Sequence, residues 1–283
     1  ATISMNSSDN KAENIKTAQN FIEQAVHSGA QWVVLPEVFS YIGDKTKLFD
    51  MAEEETGELN QRLSDLSKKL GIYLFAGSVG ERPSPKDLSK DPSLAESVDG
   101  VRKVFNTMYV FNPQGQMISK YRKIHLFDLY GENGEIVFSE SSRFLAGDRI
   151  VKVDIEEWTV GLVICFDIRF SEMFLSLAKD KPVDVFIIPA AFTYKTGKDH
   201  WELLLRYRAI EGPSYVIAAN QVGKHATGAY SYGHSMIIDP WGIKLCDTHD
   251  QVGIGISSIN KQRLHKIRSR IPIKEKKRMD IYG

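Results

Sequence analysis

Three reactive side chains, far apart in the chain, each lie just beyond a predicted strand. Cys165 directly follows the apolar run 161–164, and Glu37 follows the apolar run 32–35 after one proline. Lys123 lies past the second strand of a predicted hairpin. A thiol, a carboxylate and an ammonium together supply a nucleophile, a base and a cation, which is the set that attack on a carbonyl carbon requires. The three residues are therefore a candidate catalytic trio.

Each of the three also has a plainer interpretation. Free cysteine is among the most buried residue types, so Cys165 could be structural. Glu37 and Lys123 could be solvated turn residues. Ligands of open α/β sheets bind at the strand ends, and the loops there often carry function. The coincidence of three such positions favours the catalytic interpretation.

The elements that must position these residues alternate between helix and strand. An amphipathic pattern follows Asn10 and ends near Gly29, and a second covers about 58–70 with Gly71 as its C-cap. The run 32–35 is too apolar to alternate, which indicates burial on both faces. We predict a single α/β domain with internally related halves. Further predicted strands are 72–76, 104–111, 116–121, 150–155, 158–164, 183–188, 215–219, 233–238 and 243–246, and further helices begin near Ser171, span 200–210, and follow Asn260.

Composition excludes several classes of function. Lys plus Arg and Asp plus Glu number 36 each, so 36 − 36 gives no net charge, and we expect neither a nucleic-acid nor a membrane partner. No stretch is apolar enough to span a bilayer, and two cysteines are too few for a disulfide framework. We expect a cytoplasmic protein with a small-molecule substrate. The composition of the Pro- and Ser-rich stretch 82–100 is typical of a surface excursion, that is, an exposed segment between two strands.

Three segments resemble the signature segments of the nitrilase superfamily, in the same order. They are LPE at 35–37, YRKIHLFD at 121–128 and ICFDIRF at 164–170. The resemblance extends from about Thr2 to Gly283 and includes YGHSM at 232–236 and DPWG at 239–242. It implies a four-layer αββα sandwich formed by one carbon-nitrogen hydrolase domain over residues 1–283.

The resemblance also implies roles for the trio. Glu37 accepts the thiol proton, Cys165 attacks the carbonyl carbon, and Lys123 stabilises the oxyanion, with the backbone N–H of Phe166 as a second donor. Glu140 matches a second glutamate that holds the lysine and shapes the pocket. The preceding loop 130–134 departs from the Asp- and Pro-containing loop of relatives, so Glu140 could also be an ordinary loop carboxylate. No cofactor is implied.

Candidate substrate contacts lie in two segments that each follow a predicted strand. Arg169 could anchor a substrate carboxylate or form an ion pair with Glu172 at the start of a helix. Phe192 and Thr193 follow a predicted strand, so the resemblance puts them on the pocket wall, although a plain loop role is equally open.

The activity implied is hydrolysis of a small amide. True nitrilases carry Trp after the cysteine, and Phe166 there favours amides over nitriles. The segments 200–204 and 239–242 favour the branch with deaminated glutathione amidase, ahead of omega-amidase and, more distantly, an N-carbamoyl hydrolase. A non-catalytic interaction protein that retains the fold is the alternative of another class.

The remaining candidates are predicted to be structural. The seven histidines lack metal-ligand spacing, and His234 is expected to be a hydrogen-bonded core residue, so no metal is predicted. Cys246 is expected to be structural. The basic segment of about 260–283 is interrupted by isoleucines, and the resemblance implies that it contributes to a homodimer or larger assembly.

Overall fold

Two β-sheets carry most of the strands in the computed structural model of the protein, which describes residues 1–282. The strands in chain order are β1 (Thr2–Ser4), β2 (Trp32–Val34), β3 (Tyr73–Glu81), β4 (Ser97–Val98), β5 (Val101–Arg102), β6 (Val104–Phe111), β7 (Met117–Arg122), β8 (Asp128–Tyr130), β9 (Ile136–Ser139), β10 (Phe144–Leu145), β11 (Val151–Ile155), β12 (Trp158–Leu162), β13 (Val185–Ala190), β14 (Tyr215–Asn220), β15 (Val222–Lys224), β16 (Tyr230–Tyr232), β17 (Met236–Ile238), β18 (Lys244–Asp247) and β19 (Gly253–Gly255). The α-helices are α1 (Lys11–His27), α2 (Leu48–Met51), α3 (Glu58–Leu70), α4 (Pro85–Lys90), α5 (Ser171–Leu177), α6 (Tyr194–Thr196), α7 (Glu202–Glu211), α8 (Lys261–Arg270), α9 (Ile273–Lys276) and α10 (Met279–Tyr282).

The two sheets have related topologies. The first has the order β10-β6-β3-β2-β1-β19, with β7 also paired to β6, and the second has the order β11-β12-β13-β14-β17-β18. Each has three parallel strands at its centre, β1 to β3 in one and β12 to β14 in the other, flanked by antiparallel neighbours. The halves of the chain are thus internally related, as the sequence predicts.

Side chains of the first sheet alternate between two apolar layers. Val33 and Leu74 pack with residues of α1 and α3, whereas Val34 and Phe75 pack with the second sheet through residues such as Leu162. Helices α5 and α7 add their apolar residues to the second sheet's core. Strands buried on both faces between helices and a second sheet form the predicted αββα sandwich.

Local signals in the sequence set several element ends. The Asn10 side chain accepts a hydrogen bond from the Glu13 N–H at the start of α1, and Asn260 caps α8 in the same way. Gly71 ends α3 in the left-handed conformation, with φ of +66°. These predicted boundaries are confirmed.

Other elements differ from the sequence predictions. The excursion 82–100 contains α4, a 3-10 turn at Pro92–Ala95, and β4. The β8–β9 hairpin was not predicted, and β3 runs past the predicted end at residue 76. Helix α7 begins at Glu202, because the preceding Gly197–Trp201 forms a π-helical turn. No helix among residues 1–282 is both long and apolar enough to cross a bilayer.

The start of the C-terminal segment packs on its own chain. Leu264 and Ile267 of α8 are buried, and Lys261 and Arg268 both bind the Asp184 carboxylate. This part of the predicted subunit arm is therefore engaged within the chain. Of the remainder, Gly283 lies outside the described residues.

Replacement of Phe75 by Ala should destabilise the fold strongly, because this fully buried ring lies between the two sheets. We expect the free energy of unfolding to fall by about 3–5 kcal/mol, measured by urea denaturation followed by circular dichroism. Ile136→Ala is the control, since Ile136 is 66% exposed and its loss should change stability by less than about 0.5 kcal/mol. Equal effects of the two substitutions would contradict the two-sheet core.

Candidate active site

Glu37 is held at the end of β2 by a bulge in the neighbouring strand β3. A Cβ on Gly77 would lie 2.0 Å from the Pro36 carbonyl oxygen, so only glycine permits this close approach. The Ser78 hydroxyl then accepts a hydrogen bond from the Val38 N–H at 2.9 Å. The bulge therefore fixes the turn that carries Glu37.

Two residues of the site have strained backbones. Val38 and Cys165 both have φ of +47°, a left-handed conformation that is costly for side chains with a Cβ and most of all for a β-branched one. Such strain costs on the order of 1–3 kcal/mol and persists only where surrounding contacts enforce it. Strain on both sides of the site indicates that the backbone is arranged to aim these side chains.

A buried charge cluster joins three of the predicted residues. The Lys123 ammonium donates to Glu37 Oε1 at 2.9 Å and to Glu140 Oε1 and Oε2 at 2.8 and 2.7 Å. Lys123 is 1% exposed, Glu37 4% and Glu140 5%. The interpretation of these residues as solvated turn or loop residues is therefore wrong.

Asn106 is a fourth member of the cluster that the sequence analysis missed. Its side-chain amide donates to Glu37 Oε1 at 2.8 Å and to Glu140 Oε1 at 3.2 Å. Its own Oδ1 is buried and has no hydrogen-bond partner among residues 1–282. The available signal was a single amide within the apolar strand β6, since a buried amide needs partners.

Glu140 is carried into the cluster by the β8–β9 hairpin. Its Oε2 accepts from the Phe127 N–H at 2.6 Å, and its own N–H donates to the Phe127 carbonyl oxygen at 3.0 Å. Burial has the largest effect on the pKa of Glu140 and raises it. Lys123 lowers this pKa and the Glu37 carboxylate raises it, and the net result is a raised pKa. Burial alone would lower the pKa of Lys123, but Glu140 and Glu37 raise it well above its ordinary value.

Cys165 reaches the same site from the second sheet. It lies just past β12 at the start of the 3-10 turn Cys165–Arg169, and it is buried. The Ala191 N–H donates to Glu37 Oε2 at 2.7 Å, and the same N–H also acts to lower the pKa of the Cys165 thiol. One peptide group therefore binds the carboxylate and also influences the thiol.

The electrostatics of the site favour a neutral thiol. Burial and then the Glu37 carboxylate raise the pKa of Cys165 well above its ordinary value, although Lys123 acts in the opposite direction. Lys123 by itself would favour the thiolate, but burial and the Glu37 carboxylate outweigh its effect.

The thiol opens into a small, mainly apolar cavity that includes the predicted substrate contacts. The Phe127 and Phe166 rings pack with centroids 5.0 Å apart. The Phe166 N–H lies in the first turn of a 3-10 helix, where N–H groups have no intrahelical acceptor. The cavity is lined by Phe127, Cys165, Phe166, Arg169, Ala191, Phe192, Thr193 and Thr196.

Arg169 does not pair with Glu172, which was one of its two predicted partners. Its Nη2 lies 3.3 Å from His200 Nδ1, and its guanidinium carbon lies 5.3 Å from the centre of the Phe192 ring. No ion pair with Glu172 exists within residues 1–282. The guanidinium instead borders the cavity.

Asp167, which the sequence analysis did not select, ties the two catalytic segments together. It is fully buried and accepts from the Tyr121 hydroxyl at 2.6 Å and the Ile164 N–H at 3.0 Å. It also accepts from the His125 N–H at 3.1 Å. The segment that carries Lys123 is thereby fastened to the one that carries Cys165.

His234 is hydrogen-bonded, as expected, but its side chain is 23% exposed, so the prediction that it lies in the core is wrong. Its Nδ1 lies 3.1 Å from Asp247 Oδ1. The atoms of His234, Asp247 and His249 that could bind a metal ion lie within 4.8 Å of one another. The Lys244 ammonium donates to the same Asp247 carboxylate at 3.2 Å, which supplies a cation to this group from the chain itself. The absence of a metal stays a prediction.

Comparison with known proteins gives one consistent result. Residues 1–269 match the family model for carbon-nitrogen hydrolase. The chain is 36% identical to deaminated glutathione amidase of Synechocystis sp. over 274 residues, covering 96% of this chain and 95% of the relative. It is 35% identical over 283 residues to omega-amidase NIT2 of Homo sapiens, covering 100% and 96% of the two chains. The crystal structure of the C. elegans NitFhit protein matches with a TM-score of 0.86 and 33% identity over 99% of this chain, which spans 65% of that longer chain.

The alkylation of Cys165 by iodoacetamide should depend on pH in a way that reports the Glu37 charge. In a Cys246→Ser background, the midpoint of the rate profile should lie above that of an ordinary thiol, because burial and Glu37 raise the pKa of Cys165. Glu37→Gln should move the midpoint to lower pH, because the carboxylate is lost and Lys123 remains. Mass spectrometry of the alkylated peptide measures both rates, and an unmoved or higher midpoint in the variant would contradict the electrostatic account.

Proposed function

The chain belongs to the carbon-nitrogen hydrolase family, and from this premise we propose that it hydrolyses a small carboxamide to a carboxylate and ammonia. As a member it is a hydrolase of carbon–nitrogen bonds other than peptide bonds. The observation that carries the proposal is the buried pairing of Glu37 with Lys123, beside a buried thiol on whose pKa both of these groups act. We propose Glu37, Lys123 and Cys165 as the catalytic trio.

The first half-reaction forms a thioester. As the Cys165 sulfur attacks the carbonyl carbon, Glu37 takes the thiol proton, since the resting thiol is neutral. The carbonyl oxygen becomes an oxyanion, to which Lys123 and the Phe166 N–H donate. Collapse of the tetrahedral intermediate breaks the C–N bond, and ammonia leaves with the proton that Glu37 held.

The second half-reaction regenerates the enzyme. Glu37, again a carboxylate, takes a proton from water while the water oxygen attacks the thioester carbonyl. Collapse expels the Cys165 sulfur, which recovers its proton from Glu37, and releases the carboxylic acid product. One general base thus serves both steps, and no histidine is required.

Glu140 and Asn106 act as positioning residues in this scheme. Glu140 holds the Lys123 ammonium with both of its oxygens, and Asn106 donates to both glutamates. The ammonium is thereby fixed before substrate arrives, which is the condition for electrostatic stabilisation without reorganisation.

Similarity supports a substrate like that of deaminated glutathione amidase, with an omega-amidase substrate as the second candidate. The two named relatives differ by only one percentage point in their identity to this chain, at 36% and 35%. We propose that Arg169 binds a substrate carboxylate, because its guanidinium borders the cavity and has no acidic partner in the described part of the chain. Phe192 and Thr193, also on the cavity wall, would contact the acyl chain.

Replacement of Cys165 by Ala should abolish ammonia release from every amide that the parent hydrolyses. Loss of a covalent nucleophile removes catalysis by about 10⁶-fold in the best-studied case of a hydrolase triad. The assay is ammonia release across amides of carboxylic acids, carbamoyl compounds and nitriles, with Cys246→Ala as the control, which should retain parental rates. Equal turnover by Cys165→Ala would refute the nucleophile, and a parent inert to the whole panel would favour a non-catalytic interaction protein.

The free chain should be at least dimeric in solution. We propose a homodimer or larger assembly, supported by exposed apolar side chains on α7, where Leu203 is 68% and Ile210 46% exposed. Multi-angle light scattering should give a mass of at least twice 31.9 kDa. A monomeric mass at micromolar concentration would refute it.

A cytoplasmic location is proposed as well, supported by the unpaired thiols of Cys165 and Cys246.

A further inference from the structure

Arg143 is a partly buried cation that has no anionic partner among residues 1–282. Its Nε is buried and has no hydrogen-bond partner, and no ion pair engages its guanidinium within residues 1–282. Burial lowers its pKa, which is the effect expected when nearby anions do not compensate desolvation. Because burial of an unpaired charge is costly, a side chain in this state indicates a missing anion.

The turn after Glu140 places Arg143 beside the candidate active site. The Arg143 N–H donates to the Glu140 carbonyl oxygen at 3.0 Å, so the two residues share one turn. The guanidinium lies over the Phe138 ring, 4.5 Å from its centre, and that ring packs against Phe127 at 5.8 Å. Phe127 lines the cavity that contains Cys165.

The aromatic side chains form a continuous row with a guanidinium at each end. The row is Phe138, Phe127 and Phe166, with ring centres 5.8 and 5.0 Å apart. Arg143 lies over its first ring, and Arg169 lies 5.9 Å from the centre of its last. An apolar strip between two cations that form no ion pair with residues 1–282 is complementary to an aliphatic ligand with a carboxylate at each end.

We propose that Arg143 binds a second carboxylate of the substrate, so that the preferred amide is a dianion with anionic groups near both Arg169 and Arg143. This inference rests on the proposed function for its substrate class. Arginine suits the role because its planar fork matches a carboxylate with two parallel hydrogen bonds. It would then govern specificity, distinguishing dianionic amides from those with one carboxylate.

A different role for Arg143 would be to balance the charges of Glu37 and Glu140, which both act on it electrostatically. Its lack of an ion pair with either carboxylate argues against that role, because close contact is what makes such a balance strong. The two roles predict different results. Charge balance would affect all ligands alike, whereas a carboxylate site affects only those that carry the second anion.

The test compares dicarboxylates from succinate to suberate with the matching monocarboxylates from butyrate to octanoate. Binding is measured by calorimetry and by protection of Cys165 from iodoacetamide, neither of which requires turnover. The parent should bind the best dicarboxylate roughly tenfold to a hundredfold more tightly than its monocarboxylate match, as expected for a charge-assisted pair. Arg143→Met should abolish this preference, and Arg143→Lys should retain part of it.

Arg149→Met is the matched control, because Arg149 is 71% exposed and pairs with Asp148 on the surface. It should keep the parental preference. A parent without preference for dicarboxylates, or equal weakening of both ligand series by Arg143→Met, would overturn the proposal. Failure of the proposed hydrolysis would appear separately, as a parent that binds these ligands but releases no ammonia from any amide.

Discussion

The structure depends on keeping two carboxylates and one ammonium together out of water. Desolvation of charged groups is costly, and their mutual attraction offsets that cost only with excellent geometry and additional hydrogen bonds. Lys123 meets this condition by donating to both Glu37 and Glu140, and the Asn106 amide adds a donor to each carboxylate. Removal of the lysine alone would leave two buried carboxylates facing each other, so the cluster is stable only as a unit.

This constraint explains why the fold pairs two sheets. The first sheet supplies Glu37, Asn106 and Lys123 from the ends or interior of its strands, whereas Cys165 follows a strand of the second sheet. The position of the sulfur relative to the carboxylate is therefore set by the packing between sheets. Asp167 links the two sides by buried hydrogen bonds, so an apolar interface that could otherwise slide is locked at the site.

Much of this could be predicted from sequence, and the remainder fails for identifiable reasons. Glu37, Lys123 and Cys165 stand out because each is a reactive side chain just past the end of a predictable strand. Asn106 does not, because it lies within a strand whose other residues all fit an ordinary core, and only the tertiary fold brings two carboxylates to its amide. The β8–β9 hairpin was missed because its exposed Ile136 and Val137 give no alternating pattern.

The raised pKa of Cys165 follows from its burial and from the same cluster, and it has a chemical consequence. Thiolates are the species that oxidants and alkylating agents attack, so a thiol with a raised pKa is protected while the site is empty. Protection has a cost, since a neutral thiol is a poor nucleophile and needs a base in contact at the moment of attack. The Ala191 N–H, which donates to Glu37 Oε2, helps to hold that base in place. In the proposed mechanism, ionisation is thereby coupled to attack on the carbonyl carbon, where Lys123 is positioned to stabilise the charge that leaves the sulfur.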